Sequence, residues 1–220
     1  LTVWVSCRTG SAARACAVLV SLWITGSVIL PRTVAGFAAA HPPLPDKSSF
    51  TAAVAEEVRQ HGDSHRPDDP HFARFREQVL ATHGVSRVED LPVNYGAMVM
   101  AEGERLTAET FARHFAQLAE RMEAQAAWLE RAGWFAPYLA VRAVSAAAAG
   151  TDLRAQLRFQ REAEAYRYQF VQHLNELHRD EIRYVGDRDQ KLPAARWREI
   201  PDFQPSPVAL RESIAGTGWA

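Results

Sequence analysis

The segment from His61 to His71 holds the side chains of this chain that are best suited to bind a metal ion. His61 and His65 are four residues apart, which places two imidazoles on one face of a helix. Further candidate ligands lie within six residues of His65: Asp63, Asp68, Asp69 and His71. Gly62 and Pro67 interrupt any helix here, so the two imidazoles need not converge. A structural zinc site requires four well-placed ligands. The pattern therefore favours a solvated polar loop and predicts no metal ligand.

Two more histidines offer a second candidate site further along the chain. His173 and His178 are five residues apart, which is about 140° around a helix, so they cannot share one ion. His178 and Glu181 are three residues apart and can meet, but an exposed pair with a modest attraction is the commoner arrangement at that spacing. The sequence therefore predicts a simple pair of side chains here and no ligand set.

Nucleophilic catalysis and nucleotide binding have little support in the sequence. It contains no Gly-x-Ser-x-Gly and no glycine-rich phosphate loop, and its two cysteines, Cys7 and Cys16, both precede Arg32. The other candidates have structural interpretations: Ser48 and Ser49 as helix caps, Ser145 as a small packing residue, Asp152 as a helix start, and Tyr166, Tyr168 and Phe170 as core and rim. We therefore predict no catalytic residue and no cofactor, and we expect the chain not to be an enzyme.

The distribution of charge argues against nucleic acid as a partner. Three of the 25 Lys and Arg residues lie before residue 33, while none of the 26 Asp and Glu residues appears before Asp46. The part after Arg32 is thus mildly acidic, with 22 basic and 26 acidic residues. Nucleic-acid binding requires clustered Lys and Arg, so we expect none.

An uncharged apolar run, Ala15 to Leu30, stands at the start of the chain, with Arg8 and Arg14 before it and Pro31-Arg32 closing it. Extended through Ala40, it is long enough for a membrane span with its N-terminal side in the cytoplasm. It also fits a secretory signal cleaved after Ala38-Ala39-Ala40. A buried hairpin in a soluble protein is the third interpretation. The first two place residues 41–220 outside the cytoplasm.

The remainder of the sequence is helical in pattern, without a convincing strand. We predict these helices: Ser48 or Ser49 to about Gln60, Pro70 to His83 with Asp69 as N-cap and Gly84 as C-cap, one from Thr107 with Gly133 as C-cap, Pro137 to Ala149 ended by Gly150, and a long one from Thr151 or Asp152. Pro92 begins a further helical stretch or turn that contains Met98 and Met100. The apolar stripes of the two longest helices predict an antiparallel bundle in an all-α domain. Ile200 to Pro207 is predicted to be an extended, proline-rich strap.

Several segments, in order, resemble one family of membrane proteins. The segments are Val28–Arg32, Ser86–Tyr95 with Ala101–Glu104, Ala140–Asp152, Glu162–Tyr166 with Gln172–Glu176, and Trp197–Phe203. Together they resemble the large extracytoplasmic region of ABC-2-class ABC transporter permeases, in a branch whose inserted domain has no assigned function. The similarity covers nearly the whole chain, and it brings no catalytic residue with it.

The resemblance implies an exporter-like role, several membrane spans and a separate cytoplasmic ATP-binding cassette subunit, with membrane lipid and a second permease copy as further partners. Because one candidate span is present, we expect a fragment in the cell (inner) membrane. The predicted organisation is residues 1–14 as a cytoplasmic flank, 15–40 as transmembrane helix and exit, 41–199 as a helical extracytoplasmic domain, and 200–220 as a strap leading to a missing span. The domain would serve gating, cargo binding or partner contact. The alternative is a secreted helical binding module released by cleavage of a signal peptide.

Overall fold

Helix is the regular structure of this chain throughout the part that its computed structural model describes, residues 2–66 and 68–217. About 74% of these residues are helical, and no strand occurs among them. The prediction of an all-α fold is confirmed.

Ten α-helices follow one another in the described residues. They are α1 (Thr2–Arg8), α2 (Ala12–Ile24), α3 (Leu30–Ala40), α4 (Lys47–His61), α5 (Pro70–His83), α6 (Tyr95–Ala132), α7 (Pro137–Ala148), α8 (Leu153–Glu181), α9 (Ala194–Trp197) and α10 (Leu210–Ala215). A π-helical stretch, Thr25–Ile29, joins α2 to α3, and Val88–Asp90 and Asp187–Asp189 are short 3₁₀ turns.

The apolar N-terminal segment forms one unbroken helix, Ala12–Ala40, of 29 residues. It is the one helix of the described residues that is long and apolar enough to cross a membrane, although a signal sequence meets the same criteria. Only 6% of its most apolar window is buried, so the rest of the described chain leaves most of this helix uncovered.

Pro31 does not end this helix, because the backbone before it adapts. Proline lacks an N–H and its ring crowds the preceding turn of an α-helix. The π-helical stretch Thr25–Ile29 lies just before Pro31, and there the N–H of Leu30 donates to the carbonyl of Thr25, five residues back. Such single wider turns are a known way for a helix to accommodate a local obstacle.

The cap of α4 differs from the prediction that Ser48 or Ser49 begins this helix. Asp46 is the N-cap, and its carboxylate accepts hydrogen bonds from the Ser48 hydroxyl at 2.6 Å and from the Ser49 N–H at 2.8 Å. These bonds, with a third from the Ser49 hydroxyl, lower the pKa of the Asp46 carboxyl to about 2. Asp46 occupies the cap because it directly follows Pro45 in extended backbone, with both serines in the first turn behind it.

The residues predicted to start or end α5, α7 and α8 are confirmed. Asp69 caps α5 by accepting from the N–H groups of His71 and Phe72, with Pro70 next in the chain and Gly84 in the left-handed region after the last turn (φ 64°). Pro137 begins α7, and Gly150 follows it with φ 65°. The Asp152 carboxylate accepts from the N–H of Ala155 at the start of α8.

The helix predicted to begin at Thr107 starts much earlier, so that prediction is wrong at its N-terminus. Helix α6 runs for 38 residues from Tyr95, and Asn94 caps it by accepting from the N–H of Ala97 at 3.1 Å. Thr107 lies inside it and donates its hydroxyl to the carbonyl of Gly103. Gly133 follows the last turn, but it is not among the described glycines with positive φ.

The chain divides into two compact units. One combines the chain up to Leu44, Leu118–Arg158 and the segment from Pro207 onward, and the other combines Pro45–Gln117 with Phe159–Ser206. We call these the first and the second unit. A small core of the first unit consists of Ala132, Ala136 and Leu139, with Leu30 and Val34 packed against it. The domain boundaries predicted from the sequence stay predictions.

The second unit is held by buried apolar side chains and by contacts between helices. Its most buried apolar residues are Phe72, Val79, Val88, Ala97, Leu106, Leu177 and Ile182. Gln172 of α8 donates to the carbonyl of Ala101 in α6. The strap that follows α9 is extended and packs on α8, where the Tyr166 hydroxyl donates to the carbonyl of Pro201.

Candidate functional site

A shallow groove in the second unit is the site where apolar surface and charged side chains of several helices meet. Its volume is about 480 Å³, and its lining comes from α5 (Phe75), α6 (Ala97, Met98, Ala101, Glu102, Arg105) and α8 (Tyr168, Gln172, Asn175, Glu176, Arg179). The lining positions on α6 and α8 recur at steps of one, three and four residues, which places them on one face of each helix. On α6 the lining is small and apolar at Ala97, Met98 and Ala101 and charged at Glu102 and Arg105, whereas the α8 lining is polar.

A fixed ionic network lies along the α6 side of the groove. Arg105 donates from Nε and Nη2 to the two carboxylate oxygens of Glu102, at 2.8 and 2.7 Å, and from Nη1 to Glu109 at 2.7 Å. Nε2 of His71, at the start of α5, lies 2.8 Å from Oε1 of Glu102. The hydrogen bonds from Arg105, and after them the one from His71, hold the pKa of the Glu102 carboxyl below its ordinary value of 4.5, against the opposing effect of burial.

This network positions Glu102 and leaves it poorly suited to acid catalysis. A general acid or base works best with a pKa near the working pH, whereas the pKa of Glu102 is shifted down. Both carboxylate oxygens accept hydrogen bonds already. We therefore interpret it as a structural cross-link between α5 and α6 that shapes the rim of the groove.

The Glu102 network predicts a defined dependence of stability on pH. Its pKa is lowered in the folded state, so its contribution is present above the unfolded pKa of about 4.5 and is lost as the pH falls through the folded pKa. Glu102→Gln should cost about 1 to 3 kcal/mol at pH 6, because a charged, hydrogen-bonded pair in a site only 15% exposed is broken. Below pH 4 the difference from the unmodified chain should shrink.

Unfolding temperatures measured from pH 3 to pH 7 check this expectation. Glu77→Gln, on an exposed position of α5, is the matched control and should run parallel to the unmodified chain. A Glu102→Gln deficit that stays constant down to pH 3 would contradict the assignment.

Asn175 of α8 is an unusual member of the groove lining. It is only 5% exposed, and its Nδ2 is the one buried side-chain nitrogen or oxygen in the described residues with no hydrogen-bond partner. Such a group costs about 1 to 3 kcal/mol of stability. The lining of the groove therefore includes a buried amide whose hydrogen-bonding capacity is not fully used.

The structure does not bring the histidines and carboxylates of residues 61–71 into one shared site. The His61 ring nitrogen is bonded to the carbonyl of Glu57, the N–H of His65 donates to Asp63, and Asp69 serves as the cap of α5. Across residues 2–66 and 68–217, no three His, Cys, Asp or Glu side chains lie close enough together to hold a metal ion. That the chain binds no metal or cofactor stays a prediction.

The pair predicted between His178 and Glu181 is not formed. Nε2 of His178 lies 2.9 Å from Oδ1 of Asp187 and 3.2 Å from Nδ2 of Asn94, while Glu181 is bonded to Arg196 of α9. The His178 ring instead faces the start of α6, because the N–H of Asn94 donates to the carbonyl of Arg179 and holds the two segments together. Nδ1 of His173 lies 3.8 Å from Glu176.

The aromatic residues predicted as core and rim lie in two places. Tyr166 contacts the rings of Phe170 and Phe203, so it helps to hold the strap against α8. Tyr168 lines the groove. Ser145, predicted as a small packing residue, lies exposed on α7.

The residues that organise the groove are not recognisable from the sequence alone. The pair Glu102 and Arg105 has a three-residue spacing that signals a local ion pair, but nothing local connects it to His71. A second network joins Glu57 of α4 to Arg113 and His114 of α6, and the hydrogen bonds from Arg113 and then His114 lower the pKa of the Glu57 carboxyl. These contacts depend on which helices pack together.

Comparison with known proteins identifies the family of this chain. No curated protein and no solved structure matches it. One family model, described as a domain of unknown function (DUF3526), matches residues 48–206. The match spans well over half of the sequence and contains α5 to α9, all of α4 except its first residue, the whole groove and its ionic networks. The chain therefore belongs to the DUF3526 family.

Proposed function

We propose that this chain is part of the permease of an ABC-2-class ABC transporter. The helix Ala12–Ala40 would be a membrane span, residues 41–220 would lie on the extracytoplasmic side, and ATP would be hydrolysed by a separate cytoplasmic subunit. The observation that carries the proposal is an exposed apolar helix that ends eight residues before a DUF3526 domain begins.

The family and the charge pattern support this assignment. DUF3526 domains are known in ABC-2 transporter permeases. The segments of this chain that resemble such permeases, Ser86–Tyr95 and Ala140–Asp152 among them, lie inside the matched region. Arg8 and Arg14 precede the apolar helix and no acidic residue does, which favours an N-terminus on the cytoplasmic side.

Within the second unit, we propose that the two long helices α6 and α8 run antiparallel. Three hydrogen bonds support this pairing: the Asn94 N–H to the Arg179 carbonyl, Gln172 to the Ala101 carbonyl, and Arg167 to Glu104. In these three bonds the residue number increases along α6 as it decreases along α8. A domain built in this way suits a conformational role, because two rigid helices can transmit a displacement along their length.

The work of the domain would be mechanical and not catalytic. Movement of the spans on ATP hydrolysis would reach the domain, which would gate, bind cargo or contact a partner. Its groove, with an apolar side and charged rim, is the part of the second unit best suited to such a contact.

Purification from the native host through a tag on the chain tests the proposal. We expect the chain in the membrane fraction, together with a protein that carries a P-loop and hydrolyses ATP, and a Lys→Ala change in that P-loop should abolish the hydrolysis. Recovery of the chain in the soluble fraction with an N-terminus near His41 would overturn the proposal and favour the secreted helical module.

A further inference from the structure

The turn between α6 and α7 in the first unit exposes an unusual amount of aromatic surface. Trp134 and Phe135 are 74% and 80% exposed, and Tyr138 and Val141 of α7 are also exposed. We call these four residues the aromatic turn. Soluble surfaces rarely place several large apolar side chains side by side, so a surface of this kind marks a contact with another molecule or a membrane.

Contacts along the apolar N-terminal helix fix the position of the aromatic turn beside it. Gln125 of α6 donates to the carbonyls of Ala39 and Pro42. One turn further along α6, the Trp128 ring packs edge-on against Phe37 at 5.1 Å. Later residues of α6 therefore contact earlier residues of the apolar helix, further from the end of that helix at Ala40.

The end of α6 continues the same progression. Leu30 and Val34 pack against the cluster that contains Ala132 and Leu139, and α7 contacts the π-helical stretch Thr25–Ile29. From Ala39 to Leu30 the contacts move back nine residues, which is about 14 Å of helix. If the apolar helix spans a membrane, the aromatic turn cannot remain in water.

A shallow groove at this place has the chemistry of a lipid contact. It measures about 440 Å³ and lies between α3 and the end of α6, lined by Leu30, Thr33, Val34, Phe37, Trp128, Arg131, Ala132 and Phe135. Its polar members are Thr33 and Arg131, and the Arg131 guanidinium lies 5.5 Å from the centre of the Trp128 ring. Aromatic rings and snorkelling arginines together are typical of the boundary between headgroups and acyl chains.

From this we infer that the aromatic turn inserts into the outer leaflet of the lipid bilayer, beside the span, with acyl chains covering Phe135 and Val141. The inference rests on the proposed function, because it requires Ala12–Ala40 to lie in the membrane. It adds a second, non-spanning membrane contact to the first unit. Penetration of about 5 to 10 Å below the headgroups is expected for a segment of this kind.

Fluorescence quenching of the full chain in phosphatidylcholine vesicles tests the inference. Single cysteines at Phe135 and Val141, in a Cys7→Ser, Cys16→Ser background, carry the environment-sensitive dye NBD. Val20→Cys reports the span, and Glu120→Cys, an exposed position earlier on α6, is the control for water. Lipids carry a nitroxide quencher either near the headgroup or in the middle of the acyl chain.

The two hypotheses give separate results. We expect loss of most NBD fluorescence at 135 and 141 with the shallow quencher, loss at 20 with the deep quencher, and little change at 120. Quenching at 20 without quenching at 135 and 141 would overturn the inference and leave the span intact. No quenching at any of these positions would overturn the span and the proposed function with it.

Discussion

Arginine in place of both Leu22 and Ile29 should remove the chain from the membrane. The two side chains are 46% and 50% exposed on the apolar helix, so their replacement removes little packing within the protein. An arginine near the centre of a span costs about 2.5 to 3.5 kcal/mol on insertion scales. Two should cost about 5 to 7 kcal/mol, which reduces stable insertion by several orders of magnitude.

Extraction of isolated membranes with alkaline carbonate measures this effect. The unmodified chain should stay with the membrane, and the double-arginine variant should appear in the supernatant or be degraded. Val185→Arg is the matched control, since Val185 is an exposed apolar residue of the second unit and should tolerate the charge. If the double-arginine variant resists carbonate as well as the unmodified chain, the apolar helix is not the anchor.

Asn94→Ala should strongly destabilise the second unit. Asn94 is fully buried, its Oδ1 accepts from the N–H of Ala97, and its Nδ2 lies 3.2 Å from Nε2 of His178. Loss of this N-cap leaves the buried N–H of Ala97 without its partner, which costs about 1 to 3 kcal/mol. At about 2 to 4 °C per kcal/mol, the unfolding temperature should fall by about 5 °C.

Two other variants separate the specific role of Asn94 from the general cost of a smaller buried side chain. Asn175→Ala removes the same amide group from another buried position. Because the amide nitrogen of Asn175 has no hydrogen-bond partner, this change should lower the unfolding temperature much less. Asn94→Ser retains a capping oxygen and should recover part of the loss. Equal shifts for Asn94→Ala and Asn175→Ala would refute the role of Asn94 as cap.

The helices that the sequence predicts best are those whose ends are set by neighbouring residues. Asp69 with Pro70 and Gly84 defines α5, and Gly150 with Asp152 separates α7 from α8. Each of these signals acts through a backbone group no more than a few residues away. The chemistry of a cap is therefore visible before the fold is known.

The start of α6 was hidden from sequence reasoning for a physical reason. Gly96 and Gly103 lower the helix propensity of its first three turns, and the sequence therefore indicates only a helical stretch or turn there and a clear helix from Thr107. Burial of Ala97 and Leu106 outweighs that cost in the folded protein. The cap itself, Asn94, becomes recognisable only through its contacts with the end of α8.

The groove shows the same limit for side-chain networks. The three-residue spacing of Glu102 and Arg105 predicts their ion pair, whereas the contact of Glu102 with His71 joins residues 31 positions apart and has no local signal. His178 likewise has a partner of the expected spacing in Glu181 but bonds to Asp187. Glu102 keeps its local partner Arg105 and gains His71 as a second one, whereas His178 bonds to Asp187 and not to Glu181. Only the packing of the helices decides these tertiary contacts.

The wider turn at Thr25–Ile29 changes which side of the apolar helix each residue occupies. A bond that reaches five residues back holds one residue more than an ordinary turn, so everything after Ile29 is rotated by about 100° relative to an uninterrupted helix. Residues that would share one face of an uninterrupted helix therefore lie on different faces before and after this stretch. A pattern of tolerated and harmful substitutions through the span should therefore follow two separate helical wheels, one ending at Ile24 and one beginning at Leu30.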